Sequence, residues 1–147
     1  MSTLPLLTST DAVTGLQQLC ERYPEQVVFT TSLGLEDQAL MDLIARHDLP
    51  VRVVTLDTGR LFPETYDLID RTRAKYRNVR LTSYFPDTAT LEEFVNEQGM
   101  STIFRSIKAR RACCKIRKID PLKRALEDAA VWVTGLRAAQ SDNRASL

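Results

Sequence analysis

The 147 residues suffice for one domain with a substantial core. A composition 44% hydrophobic and 27% charged excludes a disordered chain, and a net charge of +1 excludes a generally basic nucleic-acid binder. No apolar run approaches the roughly 20 residues of a membrane helix, so neither nucleic acid nor membrane is an expected partner.

Thr10 or Asp11 can cap a first helix reaching about Tyr23, with Val13, Leu16, Leu19 and Cys20 on one stripe and Pro24 ending it. Cys20 belongs to that stripe and is expected in the core. Residues 27–31, Val-Val-Phe-Thr-Thr, form a β-branched run that predicts a buried strand. A turn follows, then a helix from about Glu36 to His47 with Ala39, Leu40, Leu43 and Ile44 on one side; His47 falls at its end, where exposure or a dipole role is expected. Residues 51–56 predict a second strand, and Pro63 and Glu64 suit the first turn of the next helix. Residues 79–84 predict a third strand. Asp87 or Thr88 caps a helix closed by Gly99. Pro121 disfavours helical geometry at Asp120, so residues around 110–126 are expected as two short helices. Residues 131–134 predict a fourth strand, breaking at Gly135. Strands alternating with helices imply an α/β fold, a parallel sheet with helices on both faces. Ligands of such sheets bind at the carboxyl ends of the strands, here residues 32–36, 57–61 and 135–137.

The most unusual stretch is Arg110-Arg111-Ala112-Cys113-Cys114-Lys115-Ile116-Arg117-Lys118. A disulfide between adjacent cysteines closes a strained ring, and five surrounding cations favour thiolate, the form that ligates metals and attacks electrophiles. The stretch therefore reads as an anion site, a metal site or both, or else as a basic helix face with one buried and one exposed thiol. An odd count of three cysteines is no secreted disulfide framework, and Met1-Ser2-Thr3-Leu4-Pro5 lacks the pattern of a signal peptide; a reducing, cytoplasmic setting is expected. Thr31-Ser32-Leu33-Gly34-Leu35-Glu36-Asp37 offers hydroxyls, a glycine and a helix N-terminus suited to an oxyanion, without a Walker loop or dinucleotide fingerprint. Asp57 before Thr58-Gly59 can bond a ribose or cap its own turn. Arg137 and Arg144 can bind an anion bidentately or lie in solvent.

Together, Thr31–Asp37, the run Leu56-Asp57-Thr58-Gly59-Arg60-Leu61-Phe62-Pro63-Glu64-Thr65-Tyr66, Cys113-Cys114-Lys115-Ile116-Arg117-Lys118, and Trp132-Val133-Thr134-Gly135-Leu136-Arg137 with Gln140-Ser141 resemble assimilatory sulfonucleotide reductases, the adenylyl-sulfate / phosphoadenylyl-sulfate reductase family. The resemblance covers nearly the whole chain in the family's order. It implies an adenine-nucleotide-hydrolase-like (Rossmann-like) fold. It implies reduction of adenylyl sulfate to sulfite and AMP in sulfate assimilation, with thioredoxin or a similar thiol as donor; the alternatives are phosphoadenylyl sulfate as substrate, or a nucleotide-binding remnant without catalysis. By the same resemblance, Thr31 to Asp37 cradle the substrate's charged end, Leu56 to Gly59 line the nucleoside, and Arg117, Lys118, Gly135, Arg137 and Arg144 belong to the substrate site. Cys113 and Cys114 match half the ligands of a 4Fe-4S cluster, and this pair accompanies mainly adenylyl-sulfate reductases.

The family's second cysteine pair and its nucleophilic cysteine in a C-terminal tail have no counterpart here. Residues 1–147 are thus expected to form one incomplete domain with its C-terminal part missing, no catalytic cysteine, little turnover alone, and uncovered surface that favours homo-oligomers.

Overall fold

A computed structural model describes residues 11–136. Thr10, Arg137, Gln140, Ser141 and Arg144 lie outside the described residues. The chain runs α1 (Ala12–Arg22), β1 (Val27–Thr30), α2 (Leu35–Arg46), β2 (Arg52–Leu56), α3 (Pro63–Lys75), β3 (Leu81–Tyr84) and α4 (Thr88–Gln98). A 3₁₀ turn (Thr102–Phe104), α5 (Ile107–Cys114), a π-helical turn (Lys115–Ile119), α6 (Asp120–Ala125) and β4 (Val131–Val133) complete it.

The strands form one parallel sheet in the order β3-β2-β1-β4. β1 is central and buried from both sides, as its unbroken apolar run requires. Alternation divides its side chains. Val27 and Phe29 join Val53, Leu81 and the stripes of α1 (Leu16, Cys20), α2 (Met41, Ile44) and α3 (Ile69). Val28 turns to the opposite face with Val54 and meets Ala125 of α6. Cys20 is a core residue, as its spacing predicts.

Local chemistry sets the helix ends. The Asp11 carboxylate accepts from the Val13 amide at 3.1 Å, and that of Asp87 from the Thr90 amide at 3.0 Å. Pro63 opens α3, and Gly99, at φ +85°, ends α4.

Two short α-helices are present, as expected, with Pro121 in the first turn of α6, but no non-helical break separates them. α5, the π-helical turn and α6 form one helical run, with Asp120 itself in right-handed helical geometry. The Asp120 amide donates to the Lys115 carbonyl, five residues back. This wider turn relieves the clash a proline ring makes with the carbonyl four residues before it. The Lys115 ammonium spans the same interval, bonding both Asp120 carboxylate oxygens at 2.9 and 3.1 Å.

Candidate functional site

The chain moves outward from β1 to β2 and β3, then returns to place β4 on the other side of β1. The carboxyl ends of β1 and β4 therefore flank the point where strand order reverses, and a crevice opens there. It holds a cavity of about 400 Å³ walled by Thr30–Leu33 and Asp37, by Thr55, Leu56 and Thr58 with Leu61 and Thr65, by Lys118 and Leu122, and by Trp132 and Thr134–Leu136.

Backbone and hydroxyl bonds shape the first wall. The Thr31 amide donates to the Val54 carbonyl at 2.8 Å, and the Thr55 hydroxyl donates to the Thr31 carbonyl at 3.1 Å. The Leu33 amide donates to the Thr31 hydroxyl at 2.9 Å, holding Leu33 at φ +65°. Asp37, buried in the first turn of α2, reaches back: one carboxylate oxygen accepts from the Ser32 amide at 2.6 Å and from its hydroxyl at 2.7 Å. Its other oxygen lies against β4's exit loop, where a Cβ on Gly135 would stand 2.0 Å from it. Gly135 is thus demanded by close approach. Gly34 at the N-cap of α2 provides no side-chain acceptor, which leaves the helix's positive end facing this loop.

The second wall is the turn after β2. Buried Asp57 accepts from the Gly59 amide at 2.7 Å and from the Tyr66 hydroxyl at 2.9 Å through one oxygen, while its own amide donates to the Tyr84 carbonyl at 2.8 Å. The bond to Asp57 raises the Tyr66 phenol above the ordinary tyrosine range. Gly59 occupies left-handed geometry at φ +76°. On the third wall, the Trp132 indole N–H donates to the Thr30 hydroxyl at 2.8 Å, tying β4 to β1 across the cavity.

Of the residues singled out in the sequence, Thr31, Ser32, Leu33, Asp37, Leu56, Thr58, Lys118 and Gly135 line the cavity. Leu35 projects outward at 85% exposure, and Gly34 and Glu36 are not among the lining residues. Asp57, Gly59 and Arg117 are not among the lining residues; buried Asp57 and Arg117 bond the turn that carries Thr58. Leu61 and Leu136 fall within the strand-end loops expected to bind ligand, whereas Thr30, Thr55, Thr65, Leu122, Trp132 and Thr134 were not singled out as site residues. The available signal was position: Thr30, Thr55 and Trp132 occupy or adjoin strand ends that flank loops already suspected.

Cys113 is buried and Cys114 exposed, one turn before Arg117 and Lys118. They are two of the four thiolates a 4Fe-4S cluster requires, and no group of three or more His, Cys, Asp or Glu able to hold a metal occurs among the described residues. The described residues alone therefore do not make a cluster site. No helix among them is long and apolar enough to cross a membrane.

The model of the phosphoadenosine phosphosulfate reductase domain matches residues 26–147. An adenosine 5′-phosphosulfate reductase of Agrobacterium fabrum is 47% identical over 121 residues, covering 82% of this chain and 46% of the relative. That of Allochromatium vinosum is 46% identical over 136 residues, covering 92% of this chain and 52% of the relative. A crystal structure of phosphoadenylyl-sulfate (PAPS) reductase from Candida auris, in phosphate complex, superposes with a TM-score of 0.64 at 26% identity over 92% of this chain and 71% of that one. The chain spans about half the length of these curated relatives. The α/β fold, the switch-point cavity and the match over residues 26–147 lead to one assignment: this chain belongs to the phosphoadenosine phosphosulfate reductase domain family.

Proposed function

We propose that residues 1–147 form the nucleotide-binding part of an adenylyl-sulfate reductase that serves sulfate assimilation in the cytoplasm. The observation that carries this reading is the cavity at the strand-order reversal. Threonines and a tryptophan line it with Asp37, Lys118 places a cation on its wall, and α2 points its N-terminus at its first loop. In this reading the loop 31–37 faces the anionic end, residues 56–59 support the nucleoside, and Lys118, Gly135, Arg137 and Arg144 complete the anion's surroundings. The relatives' names favour adenylyl sulfate, while the superposed structure keeps phosphoadenylyl sulfate as the second reading.

The reaction proposed for the whole protein has two steps. A cysteine thiolate attacks the sulfur of adenylyl sulfate; the sulfur–oxygen bond to the phosphate breaks, leaving an enzyme thiosulfonate and AMP. A reduced dithiol such as thioredoxin then supplies two electrons, releasing sulfite and regenerating the thiol as the donor becomes a disulfide. Cys20 does not suit the first step: it is buried in α1's core stripe, and burial raises its pKa, away from thiolate. Cys113 and Cys114 would contribute two thiolates to a 4Fe-4S cluster whose other ligands come from elsewhere. Among the described residues β4 is an edge strand of the sheet, and it and its half-exposed Trp132 offer an edge to a second copy.

Calorimetry tests the binding claim. The 147-residue chain should bind AMP and adenylyl sulfate in competition, and adenosine 3′,5′-bisphosphate more weakly than AMP. Tighter binding of the bisphosphate would favour the second reading. A folded chain that binds none of the three would overturn the proposal.

A further inference from the structure

Arg117 occupies an unexpected place for a cation of a nucleotide site. Its side chain is only 6% exposed, and it is absent from the cavity's lining, although Lys118 beside it is present. One terminal nitrogen donates to the Thr58 carbonyl at 2.6 Å, a bond between segments 59 residues apart. Gly59 lies so close that an added Cβ would stand 3.1 Å from the same nitrogen. The buried Nε has no hydrogen-bond partner among the described residues. Such a group is costly to bury and is retained where its position does something else.

We propose that Arg117 is a positioning residue: it holds the Asp57-Thr58-Gly59 turn in its ligand-ready shape from outside the cavity. It thereby ties the helical run that carries Cys113 and Cys114 to the nucleoside wall. Successive side chains of a helical run point in different directions, and here Arg117 meets the turn's backbone while Lys118 reaches the cavity. Thr58 is the shared element, its carbonyl bonded to Arg117 while the residue lines the cavity. The Asp57 carboxylate braces the same turn through the Gly59 amide and Tyr66, so the turn is held from two sides. The functional consequence rests on the cavity being the nucleotide site; the brace itself does not.

The test uses the 147-residue chain with Arg117→Met, Arg117→Lys and Lys118→Met, and measures amide hydrogen exchange together with binding of AMP and of adenosine. Losing a charge-assisted hydrogen bond should speed exchange at the Gly59 amide about tenfold in Arg117→Met and leave β1 amides unchanged. It should also weaken adenosine and AMP alike, by about tenfold, because the turn and not the phosphate contact is lost. Arg117→Lys should recover part of both effects. Lys118→Met should weaken AMP only, with Gly59 exchange unaltered. If Arg117→Met weakened AMP but not adenosine and left Gly59 exchange unchanged, Arg117 would be a direct anion contact and the proposal wrong. Equal acceleration across the strands would likewise overturn it in favour of a general structural role. Should the parent chain bind neither ligand, the nucleotide reading fails, and the exchange data still decide whether the brace exists.

Discussion

Replacing Gly135 by alanine probes the joint between β1's loop and β4's loop most sharply. The new methyl would stand 2.0 Å from an Asp37 carboxylate oxygen and 3.1 Å from its carboxyl carbon. Asp37 cannot simply swing away, because its other oxygen accepts from the Ser32 amide and hydroxyl at 2.6 and 2.7 Å and the residue is buried. Either those bonds break or β4's exit shifts. Hydrogen bonds to charged groups contribute about 1.5–3 kcal/mol each, so a loss of about 2–4 kcal/mol is expected once relaxation recovers part of two such bonds. In a chain of this size each kcal/mol moves Tm by about 2–4 °C, which gives a fall of roughly 4–16 °C. Urea unfolding of a double-mutant cycle isolates the cause. With Asp37→Ala already present the clash has no partner, and adding Gly135→Ala should cost less than about 0.5 kcal/mol. If Gly135→Ala were equally damaging in both backgrounds, or cost under about 0.5 kcal/mol in the parent chain, the steric argument would be refuted.

Three further outcomes follow from neighbouring features. Gly59→Ala combines left-handed geometry at φ +76° with crowding against Arg117, and should lower stability by about 1–3 kcal/mol in a denaturant titration. Asp11 and Asp87 have pKa values held below the ordinary range, each chiefly by a threonine hydroxyl, Thr14 and Thr90 respectively. Their contribution is therefore complete above the unfolded carboxylate pKa of about 4 and is lost as pH falls through the lower folded values; the double variant Asp11→Asn, Asp87→Asn should flatten that acid limb of Tm against pH. Tyr66 should ionise above a free tyrosine in an ultraviolet titration, and Asp57→Asn should bring it back towards the ordinary value.

How much of this was legible in the sequence depends on the range of the interaction. The β-branched runs, the Asp11 and Asp87 caps, the Pro63 start and the Gly99 stop each act within a few residues, and the structure contains all of them. Residues 79–84 begin their strand only at Leu81, because the Val79 amide closes a turn onto the Tyr76 carbonyl. Pro121 does open a second short helix, as its chemistry suggests, but Asp120 before it stays helical because a π-helical turn joins the two helices. The spacing of Lys115 and Asp120 was a signal available for that turn: five residues suits a π turn, whereas α-helical pairs lie three or four apart. The strand order, and with it the meeting of Asp37 with Gly135 and of Trp132 with Thr30, depends on long-range closure that no local pattern records.

These long-range contacts also separate two uses of charge that look alike in a sequence. Asp37 and Asp57 both follow strands in loops of a suspected anion site, where a carboxylate ought to repel the ligand. Each instead turns one carboxylate oxygen to neighbouring protein donors, Asp37 to Ser32 and Asp57 to Gly59 and Tyr66. Arg117 does the same with its donor at Thr58. The lining is chiefly neutral, made of threonines, a tryptophan and apolar side chains, with Lys118 as the cation and Asp37 as the carboxylate among its described residues. In the proposed reading the neutral part of this wall takes the uncharged nucleoside and the anion lies near Lys118.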